Sequence, residues 1–182
     1  MTDKTVQILS LAGNDLGRVL EIQRTAYHAI VPEADEVMVR KFELCPNGCF
    51  AAWKNGRIWG YILSHPWTLA EFPVLDTYIE ALPDKADSWY IHDLAMLKDL
   101  HGCGAGRLLV ERVLAEAEQC GFLLSHLVSI QDTKKFWEKN GYKTADCRRP
   151  ENLRHYGESA CYMVRNNTCG KLSDNKSADN IN

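Results

Sequence analysis

Apolar and polar positions alternate along the chain in two periods, and these divide it into short strands and amphipathic helices. Val6 and Ile8 alternate with Thr5, Gln7 and Ser10, the two-residue period of a strand over 5–11. Leu16, Val19, Leu20 and Ile22 then recur at helical spacing behind Asn14 and Asp15, either of which suits a helix cap. This helix is expected to run to about Ala29, before Pro32 interrupts the pattern. A second helix over 34–45 sets Val37, Met38, Phe42 and Cys45 on one face, and Pro46-Asn47-Gly48 ends it. Residues 49–54 and 57–65, CFAAWK and RIWGYILSH, are rich in strand formers and flank Asn55-Gly56, the dipeptide of a tight hairpin turn. Pro66 closes the second arm.

The stretch 66–87 has no period. It carries Glu71, Asp76, Glu80, Asp84 and Asp87 against Lys85 alone, with Trp67, Phe72 and Tyr78, and reads as a loop able to bind a ligand. A strand over 88–96 follows, then a turn punctuated by Gly102, Gly104 and Gly106. The helix from about Gly104 to Cys120 has Leu109, Val110, Val113, Leu114 and Ala117 on one face, and Gly121 terminates it. Another strand over 123–130 makes a strand–helix–strand unit, which predicts a right-handed crossover to a parallel neighbour. Asp132 is expected to cap a short helix over 133–140, ended by Gly141. Strands are expected over 142–147 and 159–165, joined by the polar loop RRPENLRHYG. The expectation is an α/β domain over 1–165 and a disordered tail over 166–182, where almost nothing is apolar.

Composition narrows the partners. A chain of 182 residues that is 46% hydrophobic and 25% charged is long enough for one domain with its own core. The net charge of −3 gives no basic footprint for nucleic acid. No run of apolar residues is long enough to span a membrane, and the first residues lack the pattern of a signal peptide. The seven cysteines, odd in number and irregular in spacing, then read as reduced thiols in a cytoplasmic protein. Cys45 and Cys49 flank a turn like half of a metal site, but no second half exists in the sequence, so no metal is expected.

The segment from Ser88 to Val113 carries the chemistry. A strand that feeds a glycine turn opening a helix makes an anion site, because the first amides of a helix lack internal partners and the helix dipole favours negative charge there. Glycine lets the main chain approach a phosphate closely. The turn is therefore expected to hold a pyrophosphate on the amides of Gly102, Cys103, Gly104, Ala105, Gly106 and Arg107, with Arg107 and His101 adding positive charge. In the preceding strand His92 is a candidate base, since imidazole accepts protons near neutral pH. Tyr90 shares its face by strand alternation, and Asp93 is expected on the opposite face, as a rival base or a carboxylate tying strands together.

The order of elements, the segment His101-Gly102-Cys103-Gly104-Ala105-Gly106 and the segment Phe136-Trp137-Glu138-Lys139-Asn140-Gly141-Tyr142 together resemble the GCN5-related N-acetyltransferase (GNAT) fold over about 6–164. The segment YIHDLAM is most similar to the arylalkylamine acetyltransferases within that superfamily. The resemblance implies a mixed central sheet with splayed parallel central strands flanked by helices. It implies acetyl-CoA as cosubstrate, with Leu94, Ala95 and Met96 presenting the strand to the pantetheine arm and Phe136 and Trp137 packing near it. It implies direct acetyl transfer to a primary amine, with His92, Tyr90 and Asp93 as catalytic candidates. Many members carry a tyrosine at the position of Trp137; indole is no useful acid, and Tyr90 or Tyr142 would have to protonate the leaving thiolate instead. The acidic, aromatic loop 66–87 suits a small cationic amine as acceptor. Alternatives are a protein acetyltransferase, which needs an open groove for a peptide, and a non-catalytic acyl-CoA sensor. A monomer or homodimer is expected.

Overall fold

The computed structural model describes residues 5–27 and 31–170. Seven strands form one sheet: β1 (Gln7–Ser10), β2 (Phe50–Lys54), β3 (Arg57–Trp67), β4 (Ser88–Met96), β5 (Leu124–Ser129), β6 (Lys143–Thr144) and β7 (Cys161–Asn166). Their order across the sheet is β1-β2-β3-β4-β5-β7-β6, and only β4 and β5 run parallel. The helices are α1 (Leu16–Ala26), α2 (Asp35–Leu44), α3 (Ala105–Gln119) and α4 (Lys134–Lys139). The mixed sheet flanked by helices is the expected fold.

Each face of the sheet has its own apolar layer. The face of α3 gathers Leu109, Val110, Val113, Leu114 and Ala117 against Phe50, Ile62, Trp89, Ile91 and Leu127, with Trp137 and Tyr142 at the α4 end. Each such fully buried leucine or valine contributes roughly 1.5–3 kcal/mol. The face of α1 and α2 packs Val19, Ile22 and Met38 on Ala51, Tyr61, Leu63 and Ala95. Beyond β4 on that side, Phe72, Tyr90, Tyr156 and Tyr162 form a third, aromatic cluster that docks the loop 68–87.

The hairpin is as expected, with Asn55 and Gly56 at positive φ and a bulge between Ala52 and Trp53. Several boundaries differ. Helix α1 stops at Ala26, where Tyr27 is extended; 28–30, where the helix was expected to end, lie outside the described residues. Pro66 does not close β3, which runs to Trp67. The β2 ladder ends at Ile62, so Pro66 sits at a free edge, where proline is tolerated. Asp132 does not cap α4: it is left-handed at φ 59°, and Thr133 stands at the helix start with its hydroxyl donating to Ile130 O. The strand expected over 142–147 shrinks to Lys143–Thr144, because Tyr142 turns into the core.

The polar loop after it contains a 3-10 turn, Pro150–Tyr156, whose Tyr156 is buried and donates to Pro73 O at 2.5 Å. The folded part passes Arg165: Asn167 is buried, its Nδ2 donating to Phe122 O and its Oδ1 accepting from Ser125 Oγ. The rest of the tail, 171–182, lies outside the described residues.

Candidate acetyl-transfer site

Strand β4 decides the geometry. It pairs with β3 from Ser88 to Met96 but with β5 only over Trp89–Ile91. Past Ile91 the two parallel strands part. Leu97 N–H donates to Trp59 O, which makes Gly60–Met96 and Ile62–Leu94 the non-hydrogen-bonded pairs of the antiparallel ladder. The N–H and C=O groups of Leu94 and Met96 therefore face away from β3, into the side that β5 has left. An extended chain can add there as a strand would. Ala95 does not fit its expected role: its main-chain groups face Tyr61 of β3 and its side chain is in the α1/α2 core. His101 Nε2 lies 3.2 Å from Met96 O, so its ring covers one end of this edge.

The glycine turn lies directly beyond. Gly102 and Gly104 have φ of 76° and 85°, a conformation that disfavours side chains, and a Cβ at either would meet no atom within 4 Å. The first helix amide to bond inside α3 is that of Leu108, to Gly104 O. The amides of Ala105, Gly106 and Arg107 precede it and stand free for an anion. Gly106 is required for packing instead: a Cβ there would come within 2.9 Å of Met96 Cε and 3.2 Å of Phe136 Cε2. Phe136 thus supports the base of the turn. Trp137 is buried in the α3-side core, edge-on to Tyr142, and is a core aromatic rather than a wall of the turn. Arg107 pairs with Glu111 at 2.7 Å on the surface, and the Cys103 thiol donates to Leu100 O. A pyrophosphate fits this cradle.

A β-bulge interrupts β4 where the strands part. Leu63 pairs with Asp93 and Ser64 with Ile91, which leaves His92 as the extra residue. The bulge overturns the expected alternation. Trp89, Ile91 and Leu94 face α3, whereas Tyr90, His92, Asp93 and Ala95 all lie towards α1, α2 and the loop 68–87. His92 and Asp93 consequently border one small cavity of about 30 Å³, together with Gln23, Tyr27, Glu33, Leu75, Val128 and Tyr156. A volume of this order admits a water molecule.

His92 Nε2 lies 3.4 Å from Glu33 Oε2, and Lys41 Nζ lies 2.5 Å from the same oxygen. Glu33 Oε1 accepts the Asp76 amide at 2.8 Å. Burial opposes ionisation of Glu33, but His92 and Lys41 outweigh it and hold the carboxyl well below the usual range. Burial lowers the Lys41 ammonium, against the pull of Glu33. Burial and then Lys41 lower His92, with Glu33 opposing, so the imidazole is neutral at pH 7. Its Nδ1 is buried without a hydrogen-bond partner among the described residues. With Nε2–H directed at Glu33, Nδ1 carries the free lone pair.

Asp93 is placed differently from a base. Both its oxygens accept phenols, Oδ1 from Tyr27 and Oδ2 from Tyr61 at 2.6 Å. Burial raises it to about 6 despite these two bonds. It ties α1 to the sheet. Tyr90 packs edge-on to His92 at 5.4 Å between centroids but does not border the cavity, and burial raises its phenol well above the ordinary value. Tyr142 is remote from the cavity lining, in the opposite core, hydrogen-bonded with Ser125. The phenols that do border the cavity are Tyr27 and Tyr156.

Sequence reasoning passed over Glu33 and Lys41. The signal for Lys41 was its place three and four residues after Met38 and Val37, on the buried face of α2. The acids of the loop 66–87 are also reassigned. Asp76 accepts the Ala34 amide, Asp87 the Leu69 amide, and Glu71 pairs with Arg148. These three hold the loop in place. Cys49 is buried with its thiol donating to Cys45 O, and burial pushes it up to about 12.

A mixed sheet whose parallel pair opens beside a glycine-turned helix defines an acyl-CoA-dependent transferase fold. The profile of the acetyltransferase (GNAT) family matches residues 16–142. The chain belongs to that family, whose cosubstrate is acetyl-CoA. No curated protein sequence matches it. Among solved structures it is similar to the loading GNATL domain of CurA from Lyngbya majuscula, with a TM-score of 0.73, 14% identity, and coverage of 91% of this chain and 99% of that one. It is similar to the ribosomal-protein-S18-alanine N-acetyltransferase from Escherichia coli, with 0.64, 18%, and 98% and 99%. It is likewise similar to the PaiA N-acetyltransferase from Thermoplasma acidophilum in complex with coenzyme A, with 0.64, 15%, and 89% and 99%. At these low identities the TM-scores show a shared fold. Among the described residues no helix is long and apolar enough to cross a membrane.

Proposed function

We propose that the protein acetylates a primary amine of a small molecule, with His92 as the proton acceptor and Glu33 as the group that positions it. The observation that carries this reading is the buried Glu33–His92 contact, which leaves Nδ1 unpartnered beside a cavity at the opening of β4 and β5. When bound, acetyl-CoA supplies a thioester whose carbonyl carbon takes the amine and whose sulfur leaves.

The chain's own parts do the rest. The amides over Ala105–Arg107 bind the pyrophosphate, and the outward main chain of Leu94 and Met96 orients the pantetheine arm. His92 Nδ1 takes the proton of the attacking amine, directly or through one water. Glu33 fixes the imidazole with Nε2–H turned inward, as carboxylates do for catalytic histidines elsewhere. The small size of the cavity, bordered by Leu75 of the loop 68–87, favours a small amine over an extended peptide, although the GNAT structures the chain is similar to include a ribosomal-protein-S18-alanine N-acetyltransferase.

His92→Ala is expected to reduce turnover about 10²-fold or more with acetyl-CoA affinity retained. The assay is thiol release across a panel of primary amines, alongside calorimetric binding of acetyl-CoA. Unchanged turnover in that variant would remove His92 from the mechanism. A wild type that binds acetyl-CoA and acetylates no amine would favour a sensor.

A further inference from the structure

Gln23 is a polar residue in the wrong place for stability. It lies on the buried face of α1 beside Val19 and Ile22, is 1% exposed, and its Oε1 has no hydrogen-bond partner among the described residues. A buried unpaired amide of this kind costs about 1–3 kcal/mol, and leucine or methionine would fill the site without that cost. Gln23 borders the same cavity as His92.

The other polar side chains that border the cavity are committed. The Tyr27 phenol donates to Asp93, the Tyr156 phenol to Pro73 O, and Glu33 accepts from Lys41 behind it. Among the described residues that border the cavity, two groups are left over: Gln23 Oε1 and His92 Nδ1. Both are acceptors once His92 carries its proton on Nε2. Val31, Pro32, Leu75, Val128 and Ile130 line the rest of the cavity with carbon.

We propose that Gln23 is a specificity-determining residue that selects primary over secondary amines. The assignment rests on the reading of this cavity as the place where the amine is held. A neutral primary amine brings two N–H groups and one lone pair on a single small atom. One N–H satisfies Gln23 Oε1, the other satisfies His92 Nδ1 and is the proton that leaves, and the lone pair stays free to attack. An N-methylated amine has one N–H; it must leave either Gln23 or His92 unpaired. Selection by an unpaired buried polar group is stronger than selection by size alone.

The test uses the full chain with Gln23→Met and Gln23→Glu. Steady-state kinetics are measured with n-propylamine and N-methylpropylamine, binding of n-propylamine by calorimetry, and stability by thermal melting. Gln23→Met is expected to melt at or above the wild-type temperature, because the unpaired amide is gone. Its KM for n-propylamine rises about ten-fold, its preference for the primary amine falls towards one, and its KM for acetyl-CoA is unchanged. Gln23→Glu keeps an acceptor and keeps the preference.

A Gln23→Met protein that melts lower and still prefers the primary amine makes Gln23 a structural residue and overturns the proposal. So does loss of the preference in Gln23→Glu equal to that in Gln23→Met. If the wild type turns over neither amine, transfer fails as a reading while calorimetry still decides this one. Binding of n-propylamine that Gln23→Met abolishes upholds the site, and no binding to the wild type rejects it.

Discussion

Lys41→Met tests the electrostatics of the site most directly. The Lys41 and Glu33 side chains are 1% and 7% exposed and 2.5 Å apart. Removing one partner of so buried a pair leaves a charge without compensation and costs about 3–5 kcal/mol. His92, 3.4 Å from the same carboxylate oxygen, can relieve this by taking up a proton. Lys41 is a cause of its lowered pKa and Glu33 opposes that lowering, so removing Lys41 raises His92.

The sign follows. In the variant the folded His92 takes up its proton at a higher pH than in the wild type, although burial still opposes it. The stability regained by that protonation is present at low pH and is lost as pH rises through the variant's folded pKa. The deficit should therefore be largest at pH 8, about 3 kcal/mol or more, and smaller at pH 6. In urea this lowers the midpoint by roughly 1–2 M at pH 8. The His92 ring, followed by NMR, should titrate higher than in the wild type, and the acid limb of kcat/KM should move up with it. Adding Glu33→Gln removes the uncompensated charge and should restore most of the stability. Equal deficits at pH 6 and pH 8, with an unmoved His92 titration, would refute the reasoning.

Two further outcomes are expected. Asp93 is raised to about 6 by burial, against about 3.9 unfolded; its contribution to stability is present below pH 4 and is lost as pH rises through 6. The difference in unfolding free energy between Asp93→Asn and the wild type should accordingly change by about 3 kcal/mol between pH 4 and pH 7.5, and a flat difference curve would count against it. Gly106→Ala needs only the flexible Met96 methyl and the Phe136 edge to shift, whereas Gly106→Val should cost about 1–3 kcal/mol. Gly106→Val should also reduce the rise in melting temperature that acetyl-CoA gives the wild type; an undiminished rise would separate Gly106 from the binding turn.

The scaffold was legible because its signals are local. Asn55-Gly56 dictates its hairpin, and the spacing of Leu109, Val110, Val113 and Leu114 dictates a helix with one apolar face. The glycine turn was legible for the same reason. The surroundings of His92 were not. Alternation put Asp93 opposite His92, and a bulge that depends on pairing with Leu63 and Ser64 of β3 brought both to one side. Glu33 meets His92 from a segment 59 positions earlier, a contact no periodicity encodes. The acids of 66–87 looked like a field for a cation, and most of those with partners are spent on backbone amides that only the folded loop presents.

The strand order also governs how the chain can be made. β7 lies between β5 and β6, and its register on β5 runs from Leu124–Asn166 to Ser129–Cys161. While the polypeptide grows from its N-terminus, β1 to β4 can assemble and α3 can cover them, but one edge of β5 stays open until Cys161–Asn166 has been synthesised. An open apolar edge is a template for pairing with another chain. The nascent protein is thus most exposed to aggregation during the synthesis of its last strand. Deleting Cys161–Asn166 should harm yield in cells more than removing any equally long stretch of the loop 68–87.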